Sequence, residues 1–408
     1  MNFGMDMEGF RTLYDCDFHQ KRVLVRADFN VPMNDSGDVI NDKRIRETLP
    51  TIKYLRQQNA RVILLTHIGR PKGRDPKLQT DGIAHRLSQL LGTYVKKIDQ
   101  CIGDDVKKEV YAMKAGDVLM LENVRFYKEE NDNNNDFARQ LGSLADFFVQ
   151  DAFGVCHRAN ASVTQIAQFI PSCAGFVLQK ELEGLGTLVK NARKPFVTII
   201  GGAKADKIGV IHNLLPHLDH LLIGGKLANT FLKAAGKDIG ASAYDEESLP
   251  LAQELLSEKD ERFLLPVDVV VADKFGADAN IKIASVDAIP QGWMAVDIGP
   301  ETLRRYSEAI KNAATIVWAG PVGAYEIEKF GHGTKYIAGM IAETPAVKII
   351  GGGDSAAAVE HFGFAHCMSL VSTGGGASLE LLQGTALPGI VALVENKKLF
   401  PELCVSLH

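Results

Sequence analysis

Five apolar runs in the second half of this chain each end in a cluster of glycines: FVTIIGGAK (196–204), HLLIGGK (220–226), IVWAGPVG (316–323), VKIIGGGDS (347–355) and MSLVSTGGG (368–376). A buried strand that stops at glycines and restarts as a helix exposes backbone N–H groups at the carboxyl edge of its sheet, an arrangement that attracts phosphate. Five such units in succession constrain the fold to strand–helix repeats and point to a carboxyl edge built around a polyphosphate. Glycine numbers 38 of 408 residues, above the usual share of about 7%, and the excess sits at these strand ends.

The first half alternates in the same way. Strand candidates are KRVLVR (21–26), ARVILLT (60–66), DVLMLE (117–122) and DFFVQD (146–151), with helical stretches between them at 45–58 and 81–92. Apolar runs without polar alternation imply strands covered on both faces, and crossover helices make such sheets parallel. The polar run KEENDNNNDF (128–137) reads as an exposed loop. Residues 178–194 read as an amphipathic helix, with Leu178, Leu182, Leu185 and Leu188 near helical spacing and Pro195 ending the pattern. The expected fold is therefore α/β, two doubly wound parallel-sheet domains: 1–177, a connecting helix at 178–194, a second domain at 195–386, and a tail, 387–408, too short to stand alone.

The chain is 46% apolar and 23% charged, which suits two globular cores. A net charge of −5 argues against a nucleic-acid binder, and no apolar run reaches the roughly 20 residues of a bilayer span. The start has no secretory signal pattern, and six scattered cysteines without a CxxC read as reduced thiols, so a cytoplasmic protein is expected.

Ligands of doubly wound sheets bind beyond the carboxyl ends of the strands. In the first half those positions hold Asp28, Phe29 and Asn30, then His67, Ile68, Gly69 and Arg70, then Arg125, then Arg158, with Arg44 opening the helix after the first strand. Arginine's planar fork suits carboxylate and phosphate oxygens, so a small, multiply anionic ligand is implied. Single arginines and histidines are commonly surface or packing residues, and Asp28 and Asn30 also fit as turn formers; position just past a strand is what sets this group apart. In the second half no GxxxxGK[ST] occurs. Gly351–Ala356 matches GxGxxA, which keeps a nicotinamide-dependent dehydrogenase among the readings, although no acidic partner follows at the required distance. Asp354 beside a phosphate cradle reads as a Mg²⁺ partner or as the cap of the following helix. Lys204 and Lys207 read as point charges for a mobile phosphate or as surface residues.

Taken in order, RADFNVP (26–32), KRIRETLPTI (43–52), THIGRP (66–71), LENVRF (121–126), DAFGVCHRA (151–159), GGAKADKI (201–208), GGKLANTFL (224–232), LPVDVVVA (265–272), DIGPET (297–302), GPVGAYE (320–326), GGGDSA (351–356) and STGGGASLELL (372–382) resemble the phosphoglycerate kinase family over nearly the whole chain. The resemblance implies a first domain that holds 3-phosphoglycerate through Asp28, Phe29, Asn30, Arg44, His67, Ile68, Gly69, Arg70, Arg125 and Arg158. It implies a second that holds Mg-ATP or Mg-ADP through Lys204, Lys207, Glu326, Gly352, Gly353, Asp354 and Ser355. Asp354 would serve the metal; Arg44, Lys204, Gly353 and Gly375 would act in the transfer that also yields 1,3-bisphosphoglycerate. The implied protein is a monomer whose tail returns to the first domain and which closes about the 178–194 helix. Three positions depart from the family pattern: Lys204 and Lys207 stand one residue closer together than usual, Ala319 replaces an asparagine, and Ser355 replaces a threonine. The first two raise a second reading, a nucleotide-binding relative with weak catalysis.

Overall fold

The computed structural model describes residues 9–202, 208–258 and 260–401. It divides into two compact units, the described residues of Met1–Glu183 with those of Ala386–His408, and those of Gly184–Thr385.

The first unit is built on six parallel strands: β1 (Arg22–Arg26), β2 (Arg61–Leu65), β3 (Val95–Lys97), β4 (Val118–Met120), β5 (Phe147–Gln150) and β6 (Ser172–Ala174), in the order β3-β4-β2-β1-β5-β6. The unbroken apolar character of β1 has a direct cause. Val23 and Val25 enter the core on one face, Leu24 the core on the other, and all three are fully buried. Register is set by pairs such as Val23 with Val62 on one side and with Phe147 on the other. The chain winds outward from β1 in one direction and then crosses back to β5, so the reversal of strand order falls beside β1, where a doubly wound sheet takes its ligand.

Residues 128–137 are mostly exposed, as their polarity predicts, but they are not a loop. They form the helices Lys128–Asn131 and, from Asn135, Asn135–Gly142. Their polarity has local uses: the Asn134 side chain accepts from the Phe137 amide and caps the second helix, while Phe137 is buried against Tyr127 with ring centroids 5.1 Å apart. Glu130 lies almost wholly inside the protein.

The helix Pro388–Leu399 belongs to the first unit. Buried Asn396 fixes it there: its amide donates to Ile170 O at 2.9 Å, and its Oδ1 accepts from the Ser172 amide at 2.8 Å. The helix Phe176–Asn191 carries the chain onward, with Leu178, Leu182 and Leu185 buried; the side chain of Leu188 lies outside the described residues.

The second unit has a six-stranded parallel sheet of β7 (Phe196–Ile200), β8 (His220–Ile223), β9 (Phe263–Leu264), β13 (Thr315–Ala319), β14 (Val347–Gly351) and β15 (Leu370–Val371), ordered β15-β14-β13-β7-β8-β9. All five glycine-terminated runs are strands of it. Between β9 and β13 the chain forms something the repeat pattern did not foretell, a three-stranded antiparallel sheet of β10 (Asp268–Ala272), β11 (Ile281–Ser285) and β12 (Met294–Ile298), with β10 in the middle. The helix Pro300–Lys311 follows with Pro300 in its first turn, where a missing N–H costs nothing.

Candidate active site

In the first unit, the segments after β1, β2 and β4 are tied to one another at the carboxyl edge. Asn30 Oδ1 accepts from the Gly69 amide at 2.8 Å, and Arg125 donates to Gly69 O at 2.7 Å. Arg44 reaches back from its helix to Asp28 at 2.6 Å. Asp28 also accepts from the Asn30 amide at 3.2 Å. His67, buried, lies 3.3 Å through Nδ1 from Arg26. Arg158 stands beside His157, 3.2 Å between Nε and Nε2. Asp28, Asn30, Arg44, Gly69 and Arg125 are thus one bonded group, His67 lies within electrostatic reach of Asp28, Arg44 and Arg125, and Arg70 is exposed next to Gly69. Phe29 and Ile68 differ from the rest: their side chains belong to the core, and their amides donate to Thr66 Oγ1 and Asn123 Oδ1.

The charges confirm the convergence. Arg125 is brought down to about 10 by burial and by the neighbouring guanidinium groups of Arg26 and Arg158. His67 is held well below its ordinary value by burial, opposed by Asp28 and reinforced by Arg26, Arg125 and Arg44. Burial works against the charge on Asp28, yet His67, Arg44 and the Asn30 amide together keep its carboxyl below the usual range. Arg125 thus feels two other guanidinium groups, a concentration of positive charge that favours an anionic ligand.

In the second unit, the reversal of strand order lies between β7 and β13, and the glycine loops that leave these strands are bonded together. The Gly201 amide donates to Ala319 O at 3.0 Å, the Gly202 amide to Pro321 O at 2.7 Å and the Gly225 amide to Val322 O at 2.9 Å. A cavity of about 480 Å³, mostly apolar, opens beside them; Gly202, Phe275, Met294, Val322, Glu326 and Asp354 are among its walls. Its size and its few polar groups suit a nucleoside. Gly352, at φ 89°, caps the helix Gly353–His361, and Gly375 caps Gly376–Leu382. Asp354 is therefore not the cap but a first-turn residue, exposed at the cavity wall with Gly353 beside it. Ser355 is buried; its hydroxyl donates to Gly351 O and accepts from the Gly320 amide at 3.0 Å, joining the loops after β14 and β13. Lys204 and Lys207 lie outside the described residues.

A family model described as phosphoglycerate kinase matches residues 13–385. The chain belongs to the phosphoglycerate kinase family. The phosphoglycerate kinase of Moorella thermoacetica is 53% identical over 390 residues, 94% of this chain and 99% of that protein. The chloroplastic phosphoglycerate kinase 2 of Arabidopsis thaliana is 51% identical over 391 residues, 94% of this chain and 82% of that protein. The structure of phosphoglycerate kinase from Coxiella burnetii superposes with a TM-score of 0.85 at 40% identity, covering 95% of this chain and 99% of that one. That of the Pyrococcus horikoshii enzyme gives 0.85 at 32%, covering 96% and 100%. The chain is accordingly a phosphotransferase with a carboxyl group as acceptor, and the dehydrogenase reading resting on GxGxxA falls away.

Four groups around the phosphoglycerate kinase site were missed from sequence. Thr66 directly follows β2 and Asn123 stands three residues past β4, and neither carries a charge that marks it in the sequence. Arg26 was seen only as a strand end, and Glu130 was hidden in the polar run. Among the described residues no cluster of three or more His, Cys, Asp or Glu side chains is arranged to hold a metal ion, and no helix is long and apolar enough to cross a membrane.

Proposed function

We propose that the first unit binds 3-phosphoglycerate through Asp28, Asn30, Arg44, His67, Arg70, Arg125 and Arg158, with Gly69 and the backbone of Phe29 and Ile68 shaping the pocket. The second unit binds ATP or ADP through Lys204, Lys207, Glu326, Asp354 and the Gly352–Ser355 turn. The observation that carries this reading is the bonded group of Asp28, Asn30, Arg44, Gly69 and Arg125 at the carboxyl edge beside β1, with His67 close enough to feel the charges of Asp28, Arg44 and Arg125.

The acceptor carboxylate of 3-phosphoglycerate, with a pKa near 4, is already ionised at neutral pH, so the transfer needs no general base. Its difficulty is the approach of an anionic nucleophile to an anionic phosphoryl group with an anionic leaving group. Positive charge and oriented N–H donors meet that difficulty. Arg44 and Lys204 supply charge, and the backbone at Gly353 and Gly375 supplies donors. Asp354 and Glu326 both border the cavity, and Asp354 offers a single hard oxygen donor of the kind Mg²⁺ accepts alongside phosphate and water. Mg²⁺ bound with the nucleotide would neutralise phosphate charge. Asp354 would hold it from the protein side, and Glu326 would receive the ribose hydroxyls.

The protein acts as a cytoplasmic monomer in this reading. Weak catalysis, raised by the Lys204–Lys207 spacing and Ala319, is not favoured, because relatives about half identical over almost the full chain carry the kinase name. A coupled assay of ADP formation is expected to show turnover that requires both 3-phosphoglycerate and Mg²⁺. Nucleotide binding without turnover would overturn the reading.

A further inference from the structure

Behind the anion pocket of the first unit lies a buried polar chain that reaches the pocket at His67. Arg26, Glu130, Ser162 and His67 are 1%, 1%, 0% and 3% exposed. The Arg26 guanidinium is held at three points. Its Nε donates to Ser162 Oγ at 2.8 Å, its Nη1 to Ala27 O at 2.7 Å, and its Nη2 lies 3.3 Å from His67 Nδ1. Ser162 in turn donates its hydroxyl to Glu130 Oε1 at 2.7 Å and its amide to Glu130 Oε2 at 2.8 Å. Glu130 stands 4.0 Å from Arg26 and balances its charge.

A guanidinium has donors and no acceptor, so the nitrogen facing it can only accept. His67 Nδ1 therefore carries no proton, and the neutral ring carries its proton on Nε2. We infer that Glu130, Ser162 and Arg26 are positioning residues which fix His67 as the neutral, Nε2-protonated imidazole and so give the anion pocket an uncharged donor of constant orientation. A buried charge pair is retained here for what it does to the histidine, not for stability, since such pairs seldom add any.

Four charged groups face His67: Asp28, which favours protonation, and Arg26, Arg125 and Arg44, which oppose it, with burial the strongest opponent. Arg26 is the one in hydrogen-bonding reach of the ring. Removing its charge together with that of Glu130 leaves no unpaired ion inside and releases His67 Nδ1 from the guanidinium, with Asp28 the neighbouring group that favours the charged ring. The ring is then easier to protonate, although burial, Arg125 and Arg44 still oppose its charge, and its charged form binds an anion more tightly.

The consequence for substrate rests on the assignment of His67 to the 3-phosphoglycerate site; the tautomer itself does not. The test uses the full chain labelled with ¹⁵N at histidine, with His67→Asn assigning the resonance, and reads long-range ¹H–¹⁵N spectra from about pH 5.5 to 8.5. The parent protein is expected to show an Nε2–H ring that does not titrate in that window. Arg26→Gln/Glu130→Gln is expected to show a titrating ring. Its KM for 3-phosphoglycerate, relative to the parent at the same pH, should fall on the order of fivefold from pH 8 to 6, the worth of a charged over a neutral donor, with kcat changed less than about threefold. Should the double variant fail to fold, Ser162→Ala, which removes the hydroxyl holding Arg26 Nε and so loosens the guanidinium against His67, carries the same readout with a smaller shift. An Nδ1–H ring or ordinary titration in the parent overturns the inference, as does a variant that folds and keeps both tautomer and relative KM unchanged with pH. Parent resonances of His67 that stay still on adding 3-phosphoglycerate overturn the substrate assignment alone.

Discussion

Asp297 is a carboxyl group at the wall of the nucleotide-sized cavity that is almost entirely enclosed. Its Oδ2 accepts from the Gly333 amide at 2.6 Å and its Oδ1 from the Ile298 amide at 2.9 Å, but burial outweighs both and pushes it up to about 7. The unfolded value is near 4. Below that value the group is protonated in both states. Between the two values only the folded state holds the proton, so stability falls as pH rises through about 7, by at most about 4 kcal/mol. Asp297→Asn removes the titration but also one of the two acceptors, at about 1 kcal/mol. The variant should therefore be less stable than the parent near pH 5 and equal or more stable near pH 8, a crossing that unfolding midpoints across the range would reveal. The residue is also a lesson in legibility. DIGPET marked it in the sequence, yet nothing in a single chain of letters tells a buried carboxyl from a solvated one. Arg125 was legible because it stands just past a strand's carboxyl end, where it donates to Gly69 O. Arg26 and Glu130 were not, because their role comes from contacts across more than a hundred residues of chain.

At the scale of elements, long strands announced themselves and short ones did not. β1, β2, β7, β13 and β14 are five residues each, continuous and apolar, and were legible. β3, β6, β9 and β15 have only two or three residues, and their existence depends on a neighbouring strand offering hydrogen bonds rather than on their own composition. Of these only β15 was foreseen, because glycines follow it. The antiparallel sheet was missed because β11 is mostly exposed and lacks the apolar run that marks the rest. The glycine loops have a further property that their sequence merely hints at: they pack backbone on backbone. Gly225 has φ 60°, and a Cβ there would come within 2.6 Å of the Gly202 amide nitrogen and 3.0 Å of Pro321 O. Neither contact is with a flexible side chain that can move aside. Gly225→Ala should thus cost the left-handed penalty of about 1–2 kcal/mol and also force apart the loops after β7, β8 and β13. Calorimetry should record a loss of ADP affinity of tenfold or more, on the order of 1.4 kcal/mol, with 3-phosphoglycerate binding unchanged. Equal losses for both ligands would mean that the loops do not form the nucleotide site.

For the whole molecule, the division into two compact units, each with its own parallel sheet, gives the two proposed ligands separate units to bind. A residue of the first unit has no route to ADP affinity if the nucleotide belongs wholly to the second. Arg44 tests this most directly, because it is assigned both to substrate binding and to the charge that the transfer develops. Its bond to Asp28 is 2.6 Å long with the guanidinium partly open to solvent, and Asp28, though mostly buried, still accepts from the Asn30 amide once Arg44 is removed. Arg44→Ala should therefore fold normally. Turnover should drop at least about 100-fold, the usual loss for one donor to developing charge, near 3 kcal/mol. The dissociation constant for ADP, measured without 3-phosphoglycerate, should stay within about twofold of the parent's. A large loss of ADP affinity would show that the nucleotide is not held by the second unit alone. Turnover that survives would remove Arg44 from the reaction and leave it as a partner that merely orients Asp28.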